Sequence, residues 1–111
     1  MHKKNGNIFD ELPQENLAEE IIEPLLQTKR FKLERIISTG QQTPKDEWYD
    51  QAQDEWVILL KGNASLLFDD GEELTLQTGD YVFISAHRKH QVSWTSTTEP
   101  CVWLALHIND V

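Results

Sequence analysis

Trp56-Val57-Ile58-Leu59-Leu60-Lys61-Gly62-Asn63-Ala64-Ser65-Leu66-Leu67-Phe68 decides the fold. Two compact apolar runs flank Lys61-Gly62-Asn63. Gly-Asn between such runs marks a hairpin, because glycine reaches the positive φ that tight turns demand. Downstream, Asp69-Asp70-Gly71 reads as a turn, Glu72 to Gln77 as a strand, and Thr78-Gly79-Asp80 as the next turn. Tyr81 to Ile84 is a short strand, Ser85 to Lys89 a connection, and His90 to Thr95 a further strand. Polar Ser96 to Pro100 leads into a last strand, Cys101 to Ile108. Upstream, Phe31, Leu33 and Ile37 alternate with Lys32, Glu34 and Ser38, the signature of a half-buried strand, and Gly40 to Pro44 is a loop. Seven strands at spacings of roughly 8–12 residues, with no helical pattern between them, predict a sandwich or barrel.

The amino-terminal third reads differently. Met1 to Asn7 is polar and expected to fray. From Asp10 to Thr28, Leu17, Ile21 and Leu25 recur at i, i+4 and i+8, with glutamates on the other side. This predicts a short amphipathic helix, broken or kinked near Glu23 by Pro24. The organisation expected is an arm over residues 1–30 packed on a barrel over residues 31–111.

Length and composition bound the rest. A chain of 111 residues supports one core. Ten basic against 19 acidic residues leave a net charge of −9, which repels phosphate backbones and anionic headgroups. Nucleic-acid and membrane partners are therefore not expected. The longest apolar run, Cys101 to Leu106, is far short of a bilayer span, and the start carries no signal-peptide pattern. One cysteine cannot form an internal disulfide, so a reducing cytoplasm is the expected compartment. Cys101 itself reads as an inert thiol. Zinc-protease, serine-hydrolase and nucleotide-loop signatures are absent from the sequence.

What remains is a set of residues at turn–strand boundaries. Glu55 stands seven residues before Gly62, and Gly79 eleven before His90. Trp48-Tyr49-Asp50 precedes Glu55, and Ala86-His87-Arg88-Lys89 precedes His90. These spacings resemble the two motifs of the cupin superfamily, over about Phe31 to Ile108, and in particular its small single-domain bacterial members. The resemblance implies an all-β, double-stranded β-helix or jelly-roll barrel, here with the short amino-terminal helical segment in front. It also implies a homodimer.

The departures are as telling. Trp48 and Asp50 stand where the family has paired histidines, Ser85-Ala86-His87 replaces its Pro-x-Gly, and Trp94 replaces a closing asparagine. Of the family's four metal ligands the resemblance retains Glu55 and His90, with Asp50 as a substitute. His107 becomes a fourth if its strand face turns inward, a direction the sequence leaves open. Such a set implies a divalent ion (Mn, Fe, Ni or Zn) and no organic cofactor. Alternation carries Val57 and Leu59 inward with Glu55, and Val92 and Trp94 inward with His90. Trp48 and Trp94 are candidate walls of a small-molecule pocket, while His87-Arg88-Lys89 reads as a solvated loop. The function expected is a small-molecule-binding cupin, with a metal-dependent isomerase, dioxygenase or decarboxylase as one form. A metal-free sensor and a structural dimer are the alternatives.

Overall fold

The protein is described by a computed structural model covering residues 5–110. His2 and the rest of residues 1–4 lie outside it. Eight strands form two antiparallel sheets: β1 (Ile21–Gln27), β2 (Phe31–Ser38), β3 (Asp54–Lys61), β4 (Ala64–Phe68), β5 (Glu73–Leu76), β6 (Tyr81–Ile84), β7 (His90–Thr95) and β8 (Cys101–Ile108). One sheet has the order β1-β2-β8-β3-β6, the other β5-β4-β7. The all-β barrel expected from the alternation is present.

The hairpin expected around Lys61-Gly62-Asn63 is β3–β4, turning at Gly62 with φ of 98°. A Cβ there would stand 2.7 Å from Cys101 Sγ and 3.0 Å from Cys101 Cα, so only glycine fits both the backbone and the space. Between the sheets, Val57, Leu59, Leu66, Phe68, Trp103 and Ala105 make a core at 5% exposure or less. Cys101 is fully buried within it, and burial pushes its thiol above the ordinary range.

The helix expected between Asp10 and Thr28 does not form. Residues 21–27 are instead the edge strand β1, paired with β2 from Ile21↔Ile37 to Gln27↔Lys32. A spacing of four is one helical turn but also two pleats, so Ile21 and Leu25 fit either period. Pro24 is accommodated because β1 has a neighbour on one side only, and the register shifts between Pro24 and Leu26. Among the described residues there is no helix, and so none long and apolar enough to cross a membrane.

The segment before β1 is tied down by Arg35 on the outer face of β2. Its Nη1 donates to the Ile8 carbonyl at 3.0 Å and the Asp10 carbonyl at 2.7 Å, and its guanidinium pairs with Glu23. Three peptide or carboxylate groups thus hold one nearly buried cation.

Candidate functional site

Strand register places the polar groups. In β3 the alternation holds: Glu55, Val57 and Leu59 are buried and point between the sheets. In β8 the inward face is Trp103, Ala105 and His107, which settles the direction of His107. Glu55 and His107 are direct cross-strand partners, as are His107 and Lys32 on the other side. On β2 the inner face is Lys32, Glu34, Ile36 and Ser38. The polar side of that strand is therefore the inner one.

These strands enclose a cavity of about 280 Å³. Glu55, His90, Glu34, His107, Gln51 and Gln53 supply its polar lining, and Ile36, Val57, Leu66, Ile84, Val92 and Trp103 the apolar part. Glu20, Ile22 and Tyr49 also line it, from the arm, β1 and the β2–β3 connection. That connection is pinned by Gln91, 5% exposed, whose Nε2 donates to the Lys45 and Glu47 carbonyls at 2.8 Å each. Tyr49 then pairs with His90 through two backbone hydrogen bonds, and their rings lie 5.5 Å apart.

Two imidazole–carboxylate pairs face the cavity. His90 donates from Nδ1 to the Arg88 carbonyl at 2.9 Å, because a carbonyl can only accept. Its Nε2 thus turns to Glu55 Oε1, 3.9 Å away, beyond hydrogen-bond length. Glu55 Oε1 meanwhile accepts from Gln51 Nε2 at 2.8 Å. His107 Nε2 lies 3.0 Å from Glu34 Oε1, and Lys32 Nζ lies 3.4 Å from Glu34 Oε2. His107 Nδ1 is buried with no hydrogen-bond partner, which costs about 1–3 kcal/mol. At the mouth, burial pushes the Glu20 carboxyl above the usual range against a weak 3.5 Å bond from Ser38. Burial first, and then the Glu20 charge, raise the Tyr49 hydroxyl.

Glu55, His90 and His107 are thus brought together. Asp50 is not: its Oδ1 pairs with Nδ1 of His87 at 2.8 Å on the exposed loop, outside the cavity. Trp48 and Trp94 are 39% and 45% exposed and do not line the cavity. The expected inward direction of Trp94 is overturned by a bulge. The β4–β7 register jumps from Ser65↔Trp94 to Leu66↔Val92, and the extra residue turns Trp94 outward. Among the described residues no three His, Cys, Asp or Glu side chains converge closely enough to hold a metal ion. Sequence reasoning missed Glu34, Glu20 and Tyr49. The Lys32-x-Glu34 alternation hinted at Glu34, and nothing in the sequence pattern pointed to the other two.

A family profile described as "Cupin domain" matches residues 34–107. No curated protein sequence matches the chain. Among solved structures, a candidate mannose-6-phosphate isomerase from Ralstonia eutropha JMP134 is 41% identical, with a TM-score of 0.92 over 97% of this chain and 100% of that one. A cupin superfamily protein from Desulfitobacterium hafniense DCB-2 is 16% identical, with a TM-score of 0.76 over 97% and 94%. An RmlC-like cupin with a double-stranded β-helix fold from Methanocaldococcus jannaschii is 17% identical, with a TM-score of 0.67 over 83% and 82%. The last two bear on the fold alone.

Proposed function

The chain belongs to the cupin family, and from that premise we propose that it binds a small organic molecule in the barrel cavity and moves a proton there. The carrying observation is the pair of buried imidazole–carboxylate groups around one enclosed space. A cavity of this size matches a compact metabolite. Glu55 and His90 are the acid–base groups: the 3.9 Å between them leaves each with an atom free for a ligand. Glu34 and Gln51 are positioning residues, since they hold His107 and Glu55 rather than the open space. Of the reaction classes implied by the family, isomerisation draws support from the name of the Ralstonia relative.

A divalent ion is a second reading, favoured by Glu55 and His90 standing at the family's ligand positions. The donor set falls short of it. Catalytic zinc sites use three protein ligands, whereas Asp50 is engaged by His87, Nε2 of His107 by Glu34, and Nδ1 of His107 is buried away from the open space. Elemental analysis of protein purified without chelator decides: about one Mn, Fe, Ni or Zn per chain, lost in Glu55→Ala and His90→Ala, establishes the ion.

The homodimer is supported by apolar side chains left on two edge strands, Tyr81 and Phe83 on β6 at 67% and 52% exposure, and Ile22 and Leu26 on β1. Light scattering at twice 12.9 kDa is the expected result. The single, buried thiol suits a reducing cytoplasm.

The test of binding is thermal stabilisation by a metabolite library, since a ligand of the folded state alone raises the melting temperature. The shift should vanish in His90→Gln and Glu55→Gln and persist in Trp94→Ser. A library without a hit refutes the binding reading. Loss of the shift in Trp94→Ser makes Trp94 a wall of the pocket after all.

A further inference from the structure

We propose that the cavity is built for an organic cation: an amine whose ammonium group meets the carboxylates and whose apolar body lies on the floor. This rests on the small-molecule reading above and names its ligand class. Register layers the walls. Lys32, His107 and Glu55 stand at one level, Glu34, Ala105 and Val57 at the next, and Ile36, Trp103 and Leu59 at the third. Polar groups therefore occupy one end and apolar groups the middle, with Leu66 and Val92 opposite, while Ser38 and the Glu20 bonded to it stand at the other end.

Charge in the cavity as a whole is lopsided, with carboxylates at both ends. Glu20, Glu34 and Glu55 line the cavity against Lys32, the one lysine or arginine in its lining. Lys32 is already held by Glu34 at 3.4 Å. Among the described residues neither Glu20 nor Glu55 has a lysine or arginine within ion-pair distance; Glu55 accepts from the neutral Gln51 and Glu20 from Ser38. Burial without a counter-charge is what raises the Glu20 carboxyl. A bound ammonium supplies a counter-charge that the cavity's own lysine, held by Glu34, does not.

Hydrogen-bond chemistry agrees. When His107 donates from Nε2 to Glu34, its Nδ1 is an unpartnered acceptor buried out of reach of a ligand, so the carboxylates are what face the space. Carboxylates accept only, and a donor-bearing ligand is their complement. A phosphate monoester brings acceptors and negative charge, the same chemistry that Glu20 and Glu55 already present without a lysine or arginine partner.

The experiment is calorimetric titration of the full chain at pH 7 with three probes of one shape: 2-phenylethylamine, 2-phenylethanol and phenylacetate, with mannose 6-phosphate as a fourth. The amine is cationic at this pH, as alkyl amines are. It should bind at least about tenfold more tightly than phenylacetate or mannose 6-phosphate, with the alcohol between. Glu20→Gln, in the arm before β1, should weaken the amine and leave the alcohol unchanged, and Glu55→Gln should weaken both, the amine by the larger factor. Equal or tighter binding of either anion overturns the proposal while leaving the small-molecule reading intact. So does unaltered amine affinity in both variants. Absence of binding by all four probes also overturns it, and the metabolite library then decides separately whether the cavity binds anything.

Discussion

Replacing Glu34 by methionine removes the acceptor that holds His107 and Lys32. The Glu34 and His107 side chains are 11% and 9% exposed and 3.0 Å apart, so water replaces little of what is lost. A hydrogen bond involving a charged group contributes about 1.5–3 kcal/mol, and an orphaned buried nitrogen adds desolvation on top. Lys32, 35% exposed and 3.4 Å away, contributes about 0.5 kcal/mol at most. Glu34→Met should therefore cost about 3 kcal/mol, or about 12 °C in Tm for a domain of this size. His107→Leu alone leaves a carboxylate with only Lys32 and should cost about 2 kcal/mol. The double variant removes both polar partners, so its cost should fall below the sum by about 2 kcal/mol. Urea unfolding of the four proteins, analysed as a double-mutant cycle, measures this coupling. A coupling below about 0.5 kcal/mol, the range of independent sites, refutes the buried pair.

Other perturbations follow from the same geometry. Gly62→Ala places a methyl 2.7 Å from Cys101 Sγ at φ 98° and should destabilise by about 2–3 kcal/mol in denaturant unfolding; a loss under about 0.5 kcal/mol contradicts the contact. Glu20 holds its proton to higher pH in the folded chain than a free glutamate does, because burial disfavours its charged form. Its contribution is fully present below about pH 4.5 and is lost as pH rises through the folded value. Glu20→Gln should therefore raise Tm at pH 7 and change it little at pH 4, and an equal change at both is the refuting result. Trp103→Ala, at 4% exposure, should cost about 3–5 kcal/mol, whereas the outward Trp94→Ala should cost under about 1 kcal/mol; comparable losses contradict the bulge that turns Trp94 out.

The second half of the chain was legible because short strand-forming stretches stand between turn residues. Tyr81–Ile84, His90–Thr95 and Cys101–Ile108 begin and end where the polar and glycine-bearing connections stop. The first half was less so, for reasons that are physical. Four-residue spacing does not separate helix from strand, so β1 passed for a helix until its pairing with β2 decided the matter. Glu34 lay hidden because a polar inner face and a solvated outer face look alike in sequence. A barrel that encloses a polar cavity turns its hydrophilic side inward, and the arm bound by Arg35 covers part of the outside. Trp94 was misdirected by a one-residue bulge that carries no glycine or proline to announce it. Asp50 shares its turn with Glu55 in sequence, yet the left-handed backbone at His87, φ 62°, presents a partner for it outside the cavity. Glu55 and His90, read from spacing to two glycines, did come within 3.9 Å of one another.

Ring NMR of protein labelled with ¹⁵N-histidine, titrated with 2-phenylethylamine, reads the cavity directly. His90 and His107 line it, and His87 stands on the exposed loop as an internal control. Expected is a saturable movement of the His90 and His107 imidazole resonances with His87 unmoved. Movement of His87 alone, or no movement while calorimetry reports binding, places the ligand elsewhere and contradicts an interior site.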